Sequence, residues 1–247
     1  MPTADPFLMQ RSSFAVVLLV VCSGCLEMEQ TVTLAADGSG RQAIVLTLAD
    51  STLAEIQKVS PAAQLGGAPN AAAVFDEQIV GGELRQAGLE LVRHTTRQTP
   101  GRRTVDLEAS FPDFAVLQRS PLCGTGAQWE LAAGPRPGTG KLTLYPQGKA
   151  AWTDARAKAE HLDASTDPVA ADFFRKRQQA LSGLDVVVRL RLPGDVLVWT
   201  RNLDKTGDRE VTARITAEKL RTPEDLVRWL APRFEVIFDA KDCKLPL

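Results

Sequence analysis

Short runs with an apolar residue at every second position recur along this chain in pairs, each pair divided by a turn dipeptide. In residues 27–49, EMEQTVTLAADGSGRQAIVLTLA, Met28, Val32 and Leu34 share one parity. Asp37-Gly38-Ser39-Gly40 then interrupts, and Ile44, Leu46 and Leu48 resume the two-residue period. Alternation of this kind gives a strand one face for a core and one for water. Asp-Gly supplies the positive backbone angles of a tight hairpin turn. A second pair, LELVRHTTRQTPGRRTVDLEASF, surrounds Pro100-Gly101. Strands near Gln128–Leu131 and Lys141–Tyr145 flank AAGPRPGTG. Two more lie around Pro193-Gly194 in LDVVVRLRLPGDVLVWT, followed by REVTARITA and FEVIFDA.

Helical spacing separates these strands. Ser51 is placed to cap a helix through Leu53, Ile56 and Val59, and an Ala/Gly/Pro-rich stretch from Pro61 to Ala73 reads as a loop. FDEQIVGGELRQAG predicts a helix with Ile79, Val80, Leu84 and Ala87 inward and Gly88 as its stop. Gly81 and Gly82 weaken that helix by about 1 kcal/mol each relative to Ala. PDFAVLQRS reads as a short helix begun by Pro112. Ala150 to Gly183 is helical in composition, broken at DASTDP, and restarts at Asp167-Pro168 with Phe173, Phe174 and Leu181 inward. Thr222-Pro223-Glu224-Asp225 opens a last helix carrying Leu226, Trp229 and Leu230. Strands in hairpins with helices at wide intervals predict an α+β fold, mainly antiparallel sheet with helices packed on it. We expect a body of two lobes, 25–148 and 149–247, preceded by a leader over 1–24.

The leader rests on a run of nine apolar residues, Phe14 to Cys22, whereas a bilayer-spanning helix needs about 20. A short apolar run behind Arg11 and before Ser23-Gly24 has the layout of an export signal with its cleavage site. Ser23-Gly24-Cys25 resembles the end of the lipobox of bacterial lipoproteins. That resemblance implies a diacylglyceryl group on Cys25, cleavage between Gly24 and Cys25, and a place in the cell envelope on the extracytoplasmic side of a membrane. The position three before the lipidated cysteine, usually aliphatic, holds Cys22, which packs as a small hydrophobe. Translation from Met9 would give a leader of the usual short form. The competing reading is a buried amino-terminal helix or strand with two core cysteines.

With Cys22 removed and Cys25 acylated, Cys123 and Cys243 remain. In an oxidising compartment they are expected to bridge, closing a loop that stabilises by about 4–5 kcal/mol in the chain-entropy model. Two free thiols are the alternative. Neither has a CxxC neighbour, and His94 and His161 lie far off in sequence, so no metal site is expected.

Several patterns imitate catalytic or binding motifs. Gly38-Ser39-Gly40 lacks the Gly-x-Ser-x-Gly spacing of a nucleophile elbow. The turn before Gly140-Lys141 has Pro135 and Leu142 where a phosphate loop needs Gly and Ser or Thr. Asn202, Asp204, Thr206, Gly207 and Asp208 imitate a calcium loop, but Ala213 stands where its bidentate Glu belongs. His161 and Asp163, two apart on a helix, diverge. The expectation is a non-enzymatic protein without a cofactor. Basic and acidic residues, 29 and 30, leave a formal charge of −1, so nothing draws the chain to nucleic acid.

The charged strand EMEQTVTLAADGSG after a lipidated cysteine, together with LRLPGDVLVWTRNLDKTGDREVTARI, resembles the LppM-type bacterial lipoproteins. The resemblance implies an α+β ectodomain that handles lipid, with a carboxy-terminal membrane helix in many members. This chain ends in DCKLPL, so its anchoring is expected to depend on Cys25. The function expected is a binding or structural module at the membrane surface. Arg93, Arg97, Arg102 and Arg103, with His94, are candidate contacts for headgroups or a partner. Arg on an exposed strand also discourages edge pairing. The alternatives are a partner-docking subunit of an envelope assembly and an envelope hydrolase, and a lipid or an envelope protein is the partner expected. Trp129, Trp152, Trp199 and Trp229 are read as core residues in preference to docking contacts.

Overall fold

The computed structural model describes residues 26–54, 74–123, 126–161, 183–219 and 231–245, with single positions 172, 175, 222, 225, 228 and 229 between them. The leader and Cys25, the loop at Pro61–Ala73, the inward positions Ile56 and Val59, and the helix positions Phe173, Phe174, Leu181, Leu226 and Leu230 lie outside the described residues.

The first pair of alternating runs forms β1 (Leu26–Leu34) and β2 (Gly40–Ala49), antiparallel in a register that sets Leu26 opposite Leu48 and Leu34 opposite Gly40. Asp37 Oδ1 accepts from Ser39 N and Ser39 Oγ, and Gly38 takes φ 90°. Ser39 is therefore a turn residue, as its spacing implies. The second pair forms β3 (Glu90–Thr99) and β4 (Arg102–Phe111), with β4 also laid against β2. Between them α1 (Glu77–Ala87) is capped by the Asp76 carboxylate, which accepts from Gln78 N and Ile79 N, and stopped by Gly88 at φ 89°. Its buried stripe is Val80, Gly81 and Leu84. Ile79, expected inside, is 48% exposed. The bare Gly81 lets Leu91 close in on that stripe: a Cβ there would stand 3.3 Å from Leu91 Cδ2. The short helix α2 (Phe114–Leu117) starts two residues after Pro112. Its cap is Asp113, whose carboxylate accepts from Val116 N at 2.8 Å.

The rest of the chain supplies β5 (Gln128–Ala133), β6 (Thr139–Tyr145), the helix α3 (Lys149–His161), β7 (Asp185–Arg191), β8 (Val196–Trp199), β9 (Asp204–Gly207), β10 (Glu210–Thr216) and β11 (Phe234–Asp239). Two sheets result. One has the order β3-β4-β2-β1-β7-β10-β9 and the other β5-β6-β11-β8. Every pairing is antiparallel except β1 with β7. That exception follows from topology, since a parallel neighbour needs a long crossover and β7 reaches the open side of β1 only after the second sheet has begun. Pro193-Gly194 is not a hairpin turn: β7 belongs to the first sheet and β8 to the second. The calcium-like stretch is β9 and the turn after it. Asn202 Nδ2 donates to the carbonyls of Arg228 and Arg233, and Thr206 Oγ1 donates to Glu210.

The inner faces of both sheets share one core. Val32, Leu34, Ile44, Leu46, Val105, Leu107, Val188 and Val211 come from the first sheet, and Trp129, Leu142, Leu144, Phe234, Val236 and Phe238 from the second. The boundary at 148/149 falls between β6 and α3, and each sheet takes strands from both sides of it. The architecture is α+β, a mostly antiparallel two-sheet sandwich with helices at its margins, as the hairpin pattern predicts. The outer face of the first sheet is wet and paired: Arg41 meets Glu108 at 2.7 Å, Arg191 meets Glu210 at 2.7 Å, Arg214 meets Asp185 at 2.6 Å, and Arg189 meets Glu29.

Candidate functional site

Two regions of the sandwich collect polar chemistry, one at each end of the first sheet. At the end where β1 begins, the β3–β4 hairpin closes over Pro100-Gly101, with Gly101 at φ 78°. Pro followed by a glycine of positive φ is the pattern of a type II turn. Gly101 O accepts from Asp50 N at 2.9 Å, which ties the tip to the end of β2. The four candidate arginines lie along this hairpin but do not form one unpaired cluster. Arg93 bonds Asp106 at 2.8 Å and stands 3.7 Å from Glu108. Arg102 bonds Glu27 at 2.6 Å, and Arg103 stands 3.6 Å from Asp50. Arg97 is exposed. His94 is half-buried, and its Nε2 donates to Val74 O at 3.0 Å. That bond pins β3 to the segment before α1. The ring of His161 lies outside the described residues.

At the other end, the chain leaving β7 folds back on the chain leaving β11. Gly194 makes this possible, because a Cβ there would fall 1.8 Å from Asp239 O. Asp239 N donates to Asp195 O, Val196 N to Asp208 O, and Lys244 N to Ala36 O. A cleft of about 140 Å³ results, lined by Ala36, Asp195, Arg209, Asp239, Asp242 and Cys243 among others. Asp195 is held by Arg209 Nε at 3.0 Å, and Asp239 by Lys241 at 3.6 Å. Burial pushes the Cys243 thiol up, and Asp242 and Asp239 add to the shift, so the sulfur stays protonated at neutral pH and is a poor nucleophile. Among the described residues no group of three or more His, Cys, Asp or Glu side chains is arranged to hold a metal ion.

The expected Cys123–Cys243 bridge is absent, and Cys243 is a free thiol. The fold gives the reason. Cys123 ends a 3-10 turn, Pro121–Cys123, held to the middle of β1 by Gln30 Nε2 donating to Leu122 O, whereas the residue after Cys243 bonds Ala36 beyond the end of β1. Several residues of β1 at about 3.3 Å each separate the two places, while a disulfide needs Cα atoms within about 7 Å.

The tryptophans divide. Trp129 is 3% exposed and belongs to the core. Trp152 is half-buried on α3, with Tyr145 at 5.9 Å and the Arg233 and Arg156 guanidinium groups at 5.2 and 5.7 Å from its ring. Trp229 is half-buried under the Lys219 ammonium at 4.3 Å. Trp199 contradicts its core assignment at 40% exposed. It lies on the edge strand β8, where among the described residues no strand pairs with its outer side. The unbroken VLVW run looks like core, and nothing in it signals that β8 stands at an edge.

No family model and no curated protein matches the chain. Among solved structures, the folded domain of the Mycobacterium tuberculosis LppM protein, determined by NMR, is similar to it. The identity is 11%, the match covers 88% of this chain and 91% of that one, and the TM-score is 0.41. The likeness is a weak resemblance. Among the described residues no helix is long and apolar enough to cross a membrane.

Proposed function

We propose that the protein is a lipid-anchored lipoprotein of the cell envelope, acting without catalysis as a binding or structural module at a membrane surface. The observation that carries this reading is the burial of the first described residue. β1 starts at Leu26, the residue after Cys25, and Leu26 is already buried at 1% exposure. An acyl group on Cys25 would therefore hold one end of the first sheet against the bilayer with no spacer. The β3–β4 hairpin tip is at that same end, and Arg102 bonds Glu27, two residues from the candidate anchor. Arg97 and Arg103 on the same hairpin are the side chains offered to headgroups.

The cleft itself does not suit an acyl chain. Ligand cavities run to several hundred cubic ångströms and are mostly apolar, whereas the cleft is about 140 Å³ and lined by three carboxylates and an arginine. The shared core is filled by Phe111, Phe114, Trp129, Phe234 and Phe238.

Fractionation of cells producing the wild type and Cys25→Ser tests the reading. The expected outcome is wild-type protein in the membrane fraction, released only by detergent, and the variant released without it. Wild-type protein recovered in the aqueous fraction would overturn the proposal.

A further inference from the structure

Four strands stand at the edges of the two sheets, and three of them carry charge. β3 presents Arg93 and Arg97, β9 presents Asp204 and Lys205, and β5 presents Glu130. Charged side chains on an edge oppose pairing with a foreign strand. β8 is Val-Leu-Val-Trp, without a charge, and Leu197, Val198 and Trp199 are 47, 55 and 40% exposed.

The backbone of β8 is partly closed to another strand. Val196 N donates to Asp208 O at 2.7 Å, and Val196 O accepts from Lys205 Nζ at 3.1 Å. About three residues, on the order of 10 Å, stay open. Taking those exposures against ~150–250 Å² for each side chain, the apolar area offered is roughly 250–300 Å². Each partner in a stable complex gives about 800 Å², so this patch is too small to hold a second copy. A lipid surface needs no such area, because the tether already keeps the body beside it. Trp favours the headgroup level of a bilayer, and Arg201, two residues on, is exposed. The backbones of Arg228 and Arg233 adjoin the same corner through Asn202; the Arg228 side chain pairs with Asp225 at 3.7 Å, and that of Arg233 lies 3.8 Å from Glu235 and over the Trp152 ring. The two sheets join where Val196 meets Asp208, and β8 runs from that junction to Trp199.

We infer that Leu197, Val198 and Trp199, with Arg201 beside them, form a second contact with an anionic bilayer, settling the tethered body on its β8 edge. The inference rests on the membrane-surface reading above. Its test uses the full chain with an excess of vesicles of phosphatidylglycerol and brominated phosphatidylcholine, without washing. Bromine quenches indoles that enter the headgroup region. Quenching of the wild type is expected to fall by at least about half in Trp199→Phe, since an interfacial tryptophan accounts for it. Equal quenching of the two proteins would overturn the inference. So would shielding of Trp199 from acrylamide without vesicles that grows with protein concentration, which would mark a second copy on the patch. Washing the same vesicles tests the anchor separately: loss of Cys25→Ser with retention of the wild type supports the tether whatever the quenching shows, and loss of both removes it while the unwashed quenching still decides the patch.

Discussion

At the scale of the residue, the interior depends on a few polar groups as well as on its apolar ones. Gln42 is wholly buried on the core face of β2, and Ser120 Oγ donates to its Oε1 at 2.6 Å while accepting from Leu122 N at 3.3 Å. Gln30, also buried, donates to Leu122 O. These bonds fasten the 3-10 turn to the sheet. Ser120→Ala is expected to cost about 1–3 kcal/mol, measured as a lower midpoint of urea unfolding at unchanged slope. Gly194→Ala should cost more, on the order of 3 kcal/mol, because the new Cβ overlaps a backbone oxygen that cannot turn aside. An effect below about 1 kcal/mol at Gly194 would show that the contact between β7's exit and β11 is not tight in solution.

At the scale of the element, the helix cap and the charged outer face give further expectations. Asp76→Ala removes the acceptor for two free N–H groups of α1 and should destabilise by about 1 kcal/mol. On the sheet, the Arg214 guanidinium holds the Asp185 carboxyl below its ordinary range, and Arg191 does the same for Glu210, helped by Thr206. A depressed folded-state value means these pairs stabilise above the unfolded values, 3.8 and 4.5, and that the contribution is lost as pH falls through the lower folded values. Both carboxylates lie near solvent, so the loss is small. Thermal midpoints should fall below about pH 4, and less steeply in Asp185→Asn. An equally steep fall in the variant would assign the acid sensitivity elsewhere. The hairpins of β1–β2 and β3–β4 were legible because Asp37-Gly38 and Pro100-Gly101 punctuate clean alternation. The joining of Pro193-Gly194 to a different sheet was not, because turn chemistry states that a chain reverses and not which partner the next strand takes. β9 was hidden for another reason: Asp204, Lys205 and Thr206 have the composition of a turn, and only pairing with β10 makes them a strand. The exposure of Trp199 has the same origin, since edge position belongs to topology and not to local pattern.

At the scale of the whole molecule, the sandwich behaves as one body because its strands are interleaved along the chain. β7 and β10 complete a sheet begun by β1 and β2, and β11 completes one begun by β5 and β6. Segments 26–148 and 149–247 produced separately should therefore lack the dispersed amide resonances of a folded domain, and the intact chain should unfold in one cooperative transition. Two separate transitions would contradict the shared core. The candidate site was legible in part. The anchor motif and the arginines stand in the sequence, but the carboxylates opposite Arg93, Arg102 and Arg103 come from strands whose neighbours only the fold reveals, and for the same reason the cysteine count could not show that its two members stand apart. The central claim is that the body hangs from an acylated Cys25. Mass spectrometry of the protein extracted from bacterial membranes tests this most directly: the account predicts a chain whose first residue is a diacylglyceryl-modified Cys25, and a chain that retains residues 1–24 with an unmodified Cys25 would contradict it.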